Sequence, residues 1–217
     1  MRSASSQAGL PRAVSPESSP TSAGCCGVDS SAFDQVIAAL KAGKPAIFPT
    51  DTVYGLGVAV ECASSPAELF TLKQRDAGKP IAWLVGSIDD LQRYGRDVTP
   101  RACELAERHW PGALTLIVNA SDAVPEGFRA PNSTIALRMP ASDMACALIR
   151  AVGPIAASSA NRSGDVAPCA FSDINPELLE AVVALSEDSQ IESGVASTVV
   201  DCTQEELVIV RQGGHHV

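Results

Sequence analysis

Short apolar runs separated by helical spacing set the limits on what this chain can fold into. Runs such as "AIF", "IAWLV" and "ALTLIV" are strand-sized, far short of the roughly 20 residues that a bilayer-spanning helix needs. Phe33, Val36, Ile37 and Leu40 instead follow the i, i+3, i+4, i+7 pattern of an amphipathic helix, with a serine in front and Gly43 behind. "SSPAELFTLKQR" has a serine–proline helix start and ends on Lys73 and Arg75. "SDMACALIRAVG" is a serine-capped helix closed by glycine. Further helices are expected around Ile88–Arg93, from Thr99-Pro100 to Arg108, and near Pro176–Val183. Strands are expected at "PAIFP", "LGVAVE", "PIAWLVG", "ALTLIVN", "TIALRM", "PIAAS", "VVALS", "STVVDC" and "LVIVR". The two kinds intermingle without a strict βαβ repeat, so the expected fold is one α/β domain with a mixed, twisted sheet flanked by helices.

With 217 residues and 46% hydrophobic content, the chain can bury a full core. Residues 1–27 stand apart: seven serines, three prolines and few large apolar side chains cannot offset the entropy of ordering, which predicts a disordered tail before a domain over 28–217. That tail lacks the apolar core of a signal peptide, and its two arginines make a weak transit peptide. Seven scattered cysteines form no CxxC pair and no disulfide framework, which favours a reducing, cytoplasmic setting. Three histidines, two of them at the extreme terminus, do not combine with these cysteines into a zinc site. A net charge of −9 and 4% aromatics disfavour a broad nucleic-acid surface, while leaving room for a local basic pocket.

Several familiar sites are missing: a GxxxxGK[ST] loop, a GxGxxG continuation of "GLG" at 55–57, and a GxSxG elbow. A nucleotide would have to be held by side chains and strand-end loops. Five stretches suit that. "FPTDTVYGLG" leaves its strand at Pro49 and supplies hydroxyls, a carboxylate and glycines; "LKQR" supplies an ammonium and a guanidinium; "SSANRSG" supplies hydroxyl, amide and a nest-forming glycine. "STVVD" and "IVRQG" repeat the theme near the C-terminus. Taken singly, each also reads as a turn or as a solvated charge at a helix end.

In order, "PTDTVYGLG", "LKQRDAGKP", "HWPGALTLIV", "ALRMP", "SSANRSG", "STVVD" and "VIVRQG" closely resemble the YrdC-like family of threonylcarbamoyl-AMP synthases, over about residues 30–214. The resemblance implies a twisted α/β domain around a basic concave cavity. It also implies an enzyme that condenses L-threonine, bicarbonate or CO2, and ATP to threonylcarbamoyl-AMP and pyrophosphate. Separate transferring proteins would then use that intermediate to modify adenosine 37 of tRNA. The family's Lys-x-Arg and Ser-x-Asn signatures fall on Lys73, Arg75, Ser159 and Asn161, which are implied to be catalytic and to hold the nucleotide. Thr50, Thr52 and Tyr54 match the threonine-side loop; Arg138, Ser197 and Arg211 match positions near the nucleotide. Mg2+ is implied with ATP, without an assigned protein ligand. Direct tRNA binding is expected to be weak or absent. The family's common R-P-G reads Arg211-Gln212-Gly213, and the chain resembles the short, single-domain form. Two other readings stay open: a non-catalytic RNA-binding module of the same fold, and a diverged carbamoyl-adenylate enzyme.

Overall fold

The computed structural model describes residues 30–76 and 81–217. The expected N-terminal tail and Ala77–Pro80 of the "LKQRDAGKP" stretch lie outside the described residues. Helix α1 (Ser30–Lys41) leads into β1 (Ala46–Pro49) and β2 (Tyr54–Ala59), followed by α2 (Ala67–Lys73) and β3 (Ala82–Leu84). Next come α3 (Asp89–Tyr94), β4 (Gly95–Arg96), α4 (Pro100–His109), β5 (Leu114–Ala120) and β6 (Thr134–Arg138). The last part holds α5 (Asp143–Val152), β7 (Ile155–Ser159), α6 (Pro176–Ala181), β8 (Val183–Ala184), β9 (Thr198–Asp201) and β10 (Val208–Arg211).

Local chemistry accounts for most of these boundaries. Thr99 caps α4 by accepting the Ala102 amide, with Pro100 in the first turn, and Ser142 caps α5 by accepting the Ala145 amide. Asn175 does the same for α6. At the end of α2, Gln74 takes the left-handed conformation (φ 50°) and turns the backbone away. Lys73 is therefore the last helical residue, and Arg75 lies beyond the turn in different surroundings. Two details differ from the sequence reading. The two-residue β4 has no apolar run to announce it, and the expected strand "VVALS" pairs only through Val183 and Ala184, on the outer side of β1.

The strands form one mixed sheet in the order β10-β9-β5-β6-β3-β7-β2-β1-β8, with β4 added on β5. Pairing is parallel for β3/β6, β5/β9 and β1/β8 and antiparallel elsewhere. Because side chains alternate along each strand, the sheet sorts its residues onto two faces. Trp83, Leu116, Leu137, Tyr54 and Leu56 point to one, where Leu69, Leu91, Leu105 and Trp110 complete a large core. Phe48, Leu84, Ile155 and Ala157 point to the other, under Val36 and Leu40 of α1 and Leu148 and Ile149 of α5. Gly57 is what lets β2 and β7 share that second face: a Cβ there would stand 2.7 Å from Ile155 Cγ2 and 3.1 Å from Ala157 Cβ.

Candidate functional site

Helices α1 and α5 pack on β1, and α1 also on β2 and β8. Farther along the same face, the strands carry small side chains. Gly55, Ala82, Ala136, Ala157 and Ser159 form the floor of a cavity of about 350 Å³, with Thr115, Ile117 and Val199 beside them. Around its rim stand Thr50, Thr52, Arg75, Arg138, Ser197 and Arg211. Residues that lie far apart in the sequence thus meet at one wall. Among the described residues, this lining contributes three guanidinium groups and no carboxylate.

The guanidinium groups are held in different ways. Arg138 is buried, and donates to Asp51 Oδ1 (2.6 Å), Thr52 Oγ1 (2.8 Å) and the Gly112 carbonyl (3.0 Å). Burial works against its charge, and the Asp51 carboxylate supports it. Arg211 donates from Nε and Nη2 to the Ser197 carbonyl (3.0 and 2.8 Å) and from Nη2 to Ser197 Oγ (3.1 Å); Ser197 Oγ in turn meets Thr115 Oγ1 at 2.8 Å. Burial, then repulsion from Arg138 and Arg75, pulls Arg211 below its ordinary range. Burial does the same to Arg75. Asp51 neutralises Arg138, while Arg75 and Arg211 repel one another, and an anion in the cavity would relieve that repulsion.

Lys73 sits differently from Arg75. Its ammonium is buried at the end of α2 and donates to the carbonyls of Ser159 and Asn161 and to Asn161 Oδ1 (3.2 Å). Three protons meet three acceptors. Burial and the neighbouring Arg75 lower its pKa to about 8. Asn161 Oδ1 also accepts from Ser159 Oγ, and Asn161 Nδ2 donates to the Asp165 carbonyl (2.7 Å). Lys73 therefore clamps the Ser159–Asn161 loop in place, while Ser159 lines the cavity.

Tyr54 is fully buried. Its hydroxyl donates to Asp188 Oδ1 (2.7 Å) and accepts the Glu187 amide (2.9 Å), and its ring meets Phe171 edge-on at 5.9 Å. Burial and then the bond to Asp188 push its pKa well above the ordinary value. The Glu192 and Ser193 amides donate to the Asp51 carbonyl, so Tyr54 and Asp51 together tie the 187–193 segment against the threonine-rich turn. Of the residues expected at the site, Thr50, Thr52, Arg75, Arg138, Ser159, Ser197 and Arg211 line the cavity; Lys73, Asn161 and Tyr54 stand behind its wall.

Asp51, Asp188 and Thr115 were not singled out from the sequence. Asp51 lies between two threonines in a conspicuous stretch, and a lone carboxylate in a polar turn is a signal of sorts. Its partner Arg138 is 87 residues away, which no local pattern reveals. A second hollow, of about 440 Å³, lies beside Asp51 and is lined by Arg108, His109, Gly112 and His215. There His215 Nε2 and His109 Nδ1 are 2.9 Å apart.

A family profile described as telomere recombination, Sua5/YciO/YrdC, matches residues 38–213, most of the chain. The chain belongs to the Sua5/YciO/YrdC family. It is 35% identical over 176 residues to the threonylcarbamoyl-AMP synthase of Pyrococcus abyssi, covering 81% of this chain and 52% of that relative. It is 34% identical over 177 residues to the putative threonylcarbamoyl-AMP synthase of Mycobacterium tuberculosis H37Rv, covering 82% of each. The crystal structure of P. abyssi Sua5 complexed with L-threonine superposes with a TM-score of 0.73 at 32% identity, over 84% of this chain and 54% of that one. The chain thus spans about half the length of the Pyrococcus protein. The mixed α/β domain expected from the sequence is the fold observed. Among the described residues, no helix is long and apolar enough to cross a membrane.

Proposed function

We propose that this chain is a threonylcarbamoyl-AMP synthase that uses L-threonine, bicarbonate or CO2, and ATP. One observation carries the reading: a cavity that gathers Arg75, Arg138 and Arg211 around hydroxyl-bearing strand ends, in a family whose relatives bear that name. The threonine nitrogen takes up CO2 as a carbamate and releases a proton. A carbamate oxygen then attacks the α-phosphorus of ATP, forming the new P–O bond as the bond to the β-phosphate oxygen breaks and pyrophosphate leaves. Every intermediate is anionic, so catalysis consists of alignment and charge stabilisation.

Arg75 and Arg211 are the groups proposed to touch phosphate or carbamate oxygens. Arg138, neutralised by Asp51, holds the threonine-side turn. Lys73 acts as a positioning residue through the Ser159–Asn161 loop, whose hydroxyl faces the cavity. The lining offers hydroxyls and no carboxylate among the described residues, so it does not form a Mg2+ cage; the ion would ride on ATP phosphates with its own waters. The product is then consumed by transferring proteins that act on adenosine 37 of tRNA in the cytoplasm. The test is pyrophosphate release from ATP, with release expected only when threonine and bicarbonate are both present. Release that ignores threonine would remove this reading.

A further inference from the structure

We infer that the His109–His215 pair in the second hollow is a latch that positions Arg211 at the cavity rim, so that two residues outside the cavity tune its grip on the nucleotide. The inference rests on the synthase reading above. Arg211 has Nε and Nη2 on the carbonyl and hydroxyl of Ser197, so where its guanidinium points depends on where the Ala196–Thr198 backbone lies. The segment after β10 wraps that backbone. The Gly214 amide donates to the Ala196 carbonyl (3.2 Å), the Gly213 amide to Thr198 Oγ1 (3.0 Å), and Thr198 Oγ1 to the His215 carbonyl. Gln212 Nε2 donates to the same His215 carbonyl at 3.0 Å. The approach is close enough to demand glycine: a Cβ at Gly213 would overlap the Ala196 carbonyl and the Ser197 backbone.

A segment beyond the last strand is poorly ordered unless something ties it down. His215 supplies the tie. Its Nε2 lies 2.9 Å from His109 Nδ1, with the rings edge to face at 4.7 Å. His109 is the last residue of α4, a helix anchored in the core by Ala102, Leu105 and Ala106. Two ring nitrogens in contact share one proton, so at least one ring must be neutral. Burial, His215 and Arg108 hold His109 below the ordinary histidine pKa, so the bond is kept near pH 7 whichever ring donates. The contacts therefore run from an anchored helix end, through His215 and the 213–215 backbone, to Ser197 and Arg211. His109 and His215 line the second hollow and not the cavity, which makes them positioning residues.

Steady-state pyrophosphate release by the full chain, with ATP and threonine varied in turn, tests this. His215→Phe keeps a ring against His109 and removes its nitrogens. It is expected to raise KM for ATP by about three- to tenfold, the scale of one lost hydrogen bond, and to leave KM for threonine unchanged. His215→Gln offers an amide that can donate or accept and should recover most of the loss. Gly213→Ala, which forces the segment off the Ala196–Ser197 backbone, should reproduce the effect without altering either ring. In an Arg211→Ala background, His215→Phe should add nothing, because the residue it acts through is gone. Full additivity of those two changes, or an equal rise in both KM values, overturns the inference by showing that the pair supports the fold at large. An unchanged KM for ATP in both His215→Phe and Gly213→Ala also overturns it. Wild type that releases no pyrophosphate in the presence of threonine and bicarbonate removes the synthase reading itself, and the inference with it.

Discussion

One face of the sheet is used in two opposite ways. Toward β1 and β2 it carries Phe48 and Ile155, and α1 and α5 close over them with Val36, Leu40, Leu148 and Ile149. Toward β3, β6, β5 and β9 the same alternation continues with Ala82, Ala136, Ala157, Ser159 and Thr115, and the face is left as a cavity with arginines at its rim. The alternation runs through both halves, with a register shift between β9 and β10 where Arg211 enters the rim. What separates core from cavity is side-chain volume on the floor and charge at the edge. A large apolar residue recruits a helix, because burying it is worth about 1.5–3 kcal/mol; alanine and serine offer a helix little to bury.

Arg75→Ala should separate the two halves most sharply. Loss of a preorganised donor in the open half is expected to lower threonine-dependent pyrophosphate release by about 100- to 1,000-fold with little change in melting temperature. Wild-type rates at saturating substrate would show that the open half is not the site. The mirror experiment is Leu148→Ala under the covered half. There a cavity in the core should cost about 2–5 kcal/mol in urea unfolding, with threonine affinity unchanged in the folded protein. A matching loss of affinity would mean that the two halves are mechanically coupled.

Lys73 lies between these cases and sharpens the comparison. Lys73→Met keeps the volume but strips the donors from the Ser159 and Asn161 carbonyls, so both readouts should move. Stability is expected to fall by about 1–3 kcal/mol and turnover to fall as the loop loosens. A stable but inactive variant would instead put the ammonium on the substrate. The smallest effect should come from the second hollow. Burial, His215 and Arg108 hold His109 below the ordinary histidine pKa. The unfolded chain therefore takes up its proton first as pH falls through about 6.5. The stability contributed by this group is present above that pH and is lost on acidification, until the folded form protonates too. Melting curves between pH 7.5 and 5 should show the loss, and His109→Gln should flatten it; an identical pH dependence in the variant would clear His109 of any part.

Much of this was legible in the sequence, for physical reasons. Helices α4, α5 and α6 announce themselves by caps that act within three residues, and most strands by apolar runs. The cavity's rim was legible only through the ordered series of short motifs, which names Arg75, Arg138 and Arg211 without saying that they meet. Distinguishing Lys73 from Arg75 was beyond the pattern, because the difference is made by one left-handed residue, Gln74, and by a loop more than 80 residues away. Tyr54, expected on the threonine side, has its hydroxyl engaged by Asp188 and Glu187, partners more than 130 residues away that no local pattern reveals. Long-range hydrogen bonds such as Arg138 to Asp51 leave no periodicity to read.

The most direct test of the account is a crystal structure of the full chain with L-threonine and a non-hydrolysable ATP analogue. The open half of the sheet face is predicted to hold both, with phosphate oxygens within hydrogen-bond reach of the Arg75 and Arg211 guanidinium groups. Ligands seated instead in the hollow beside His109 and His215, with the arginine-rimmed cavity empty, would contradict it.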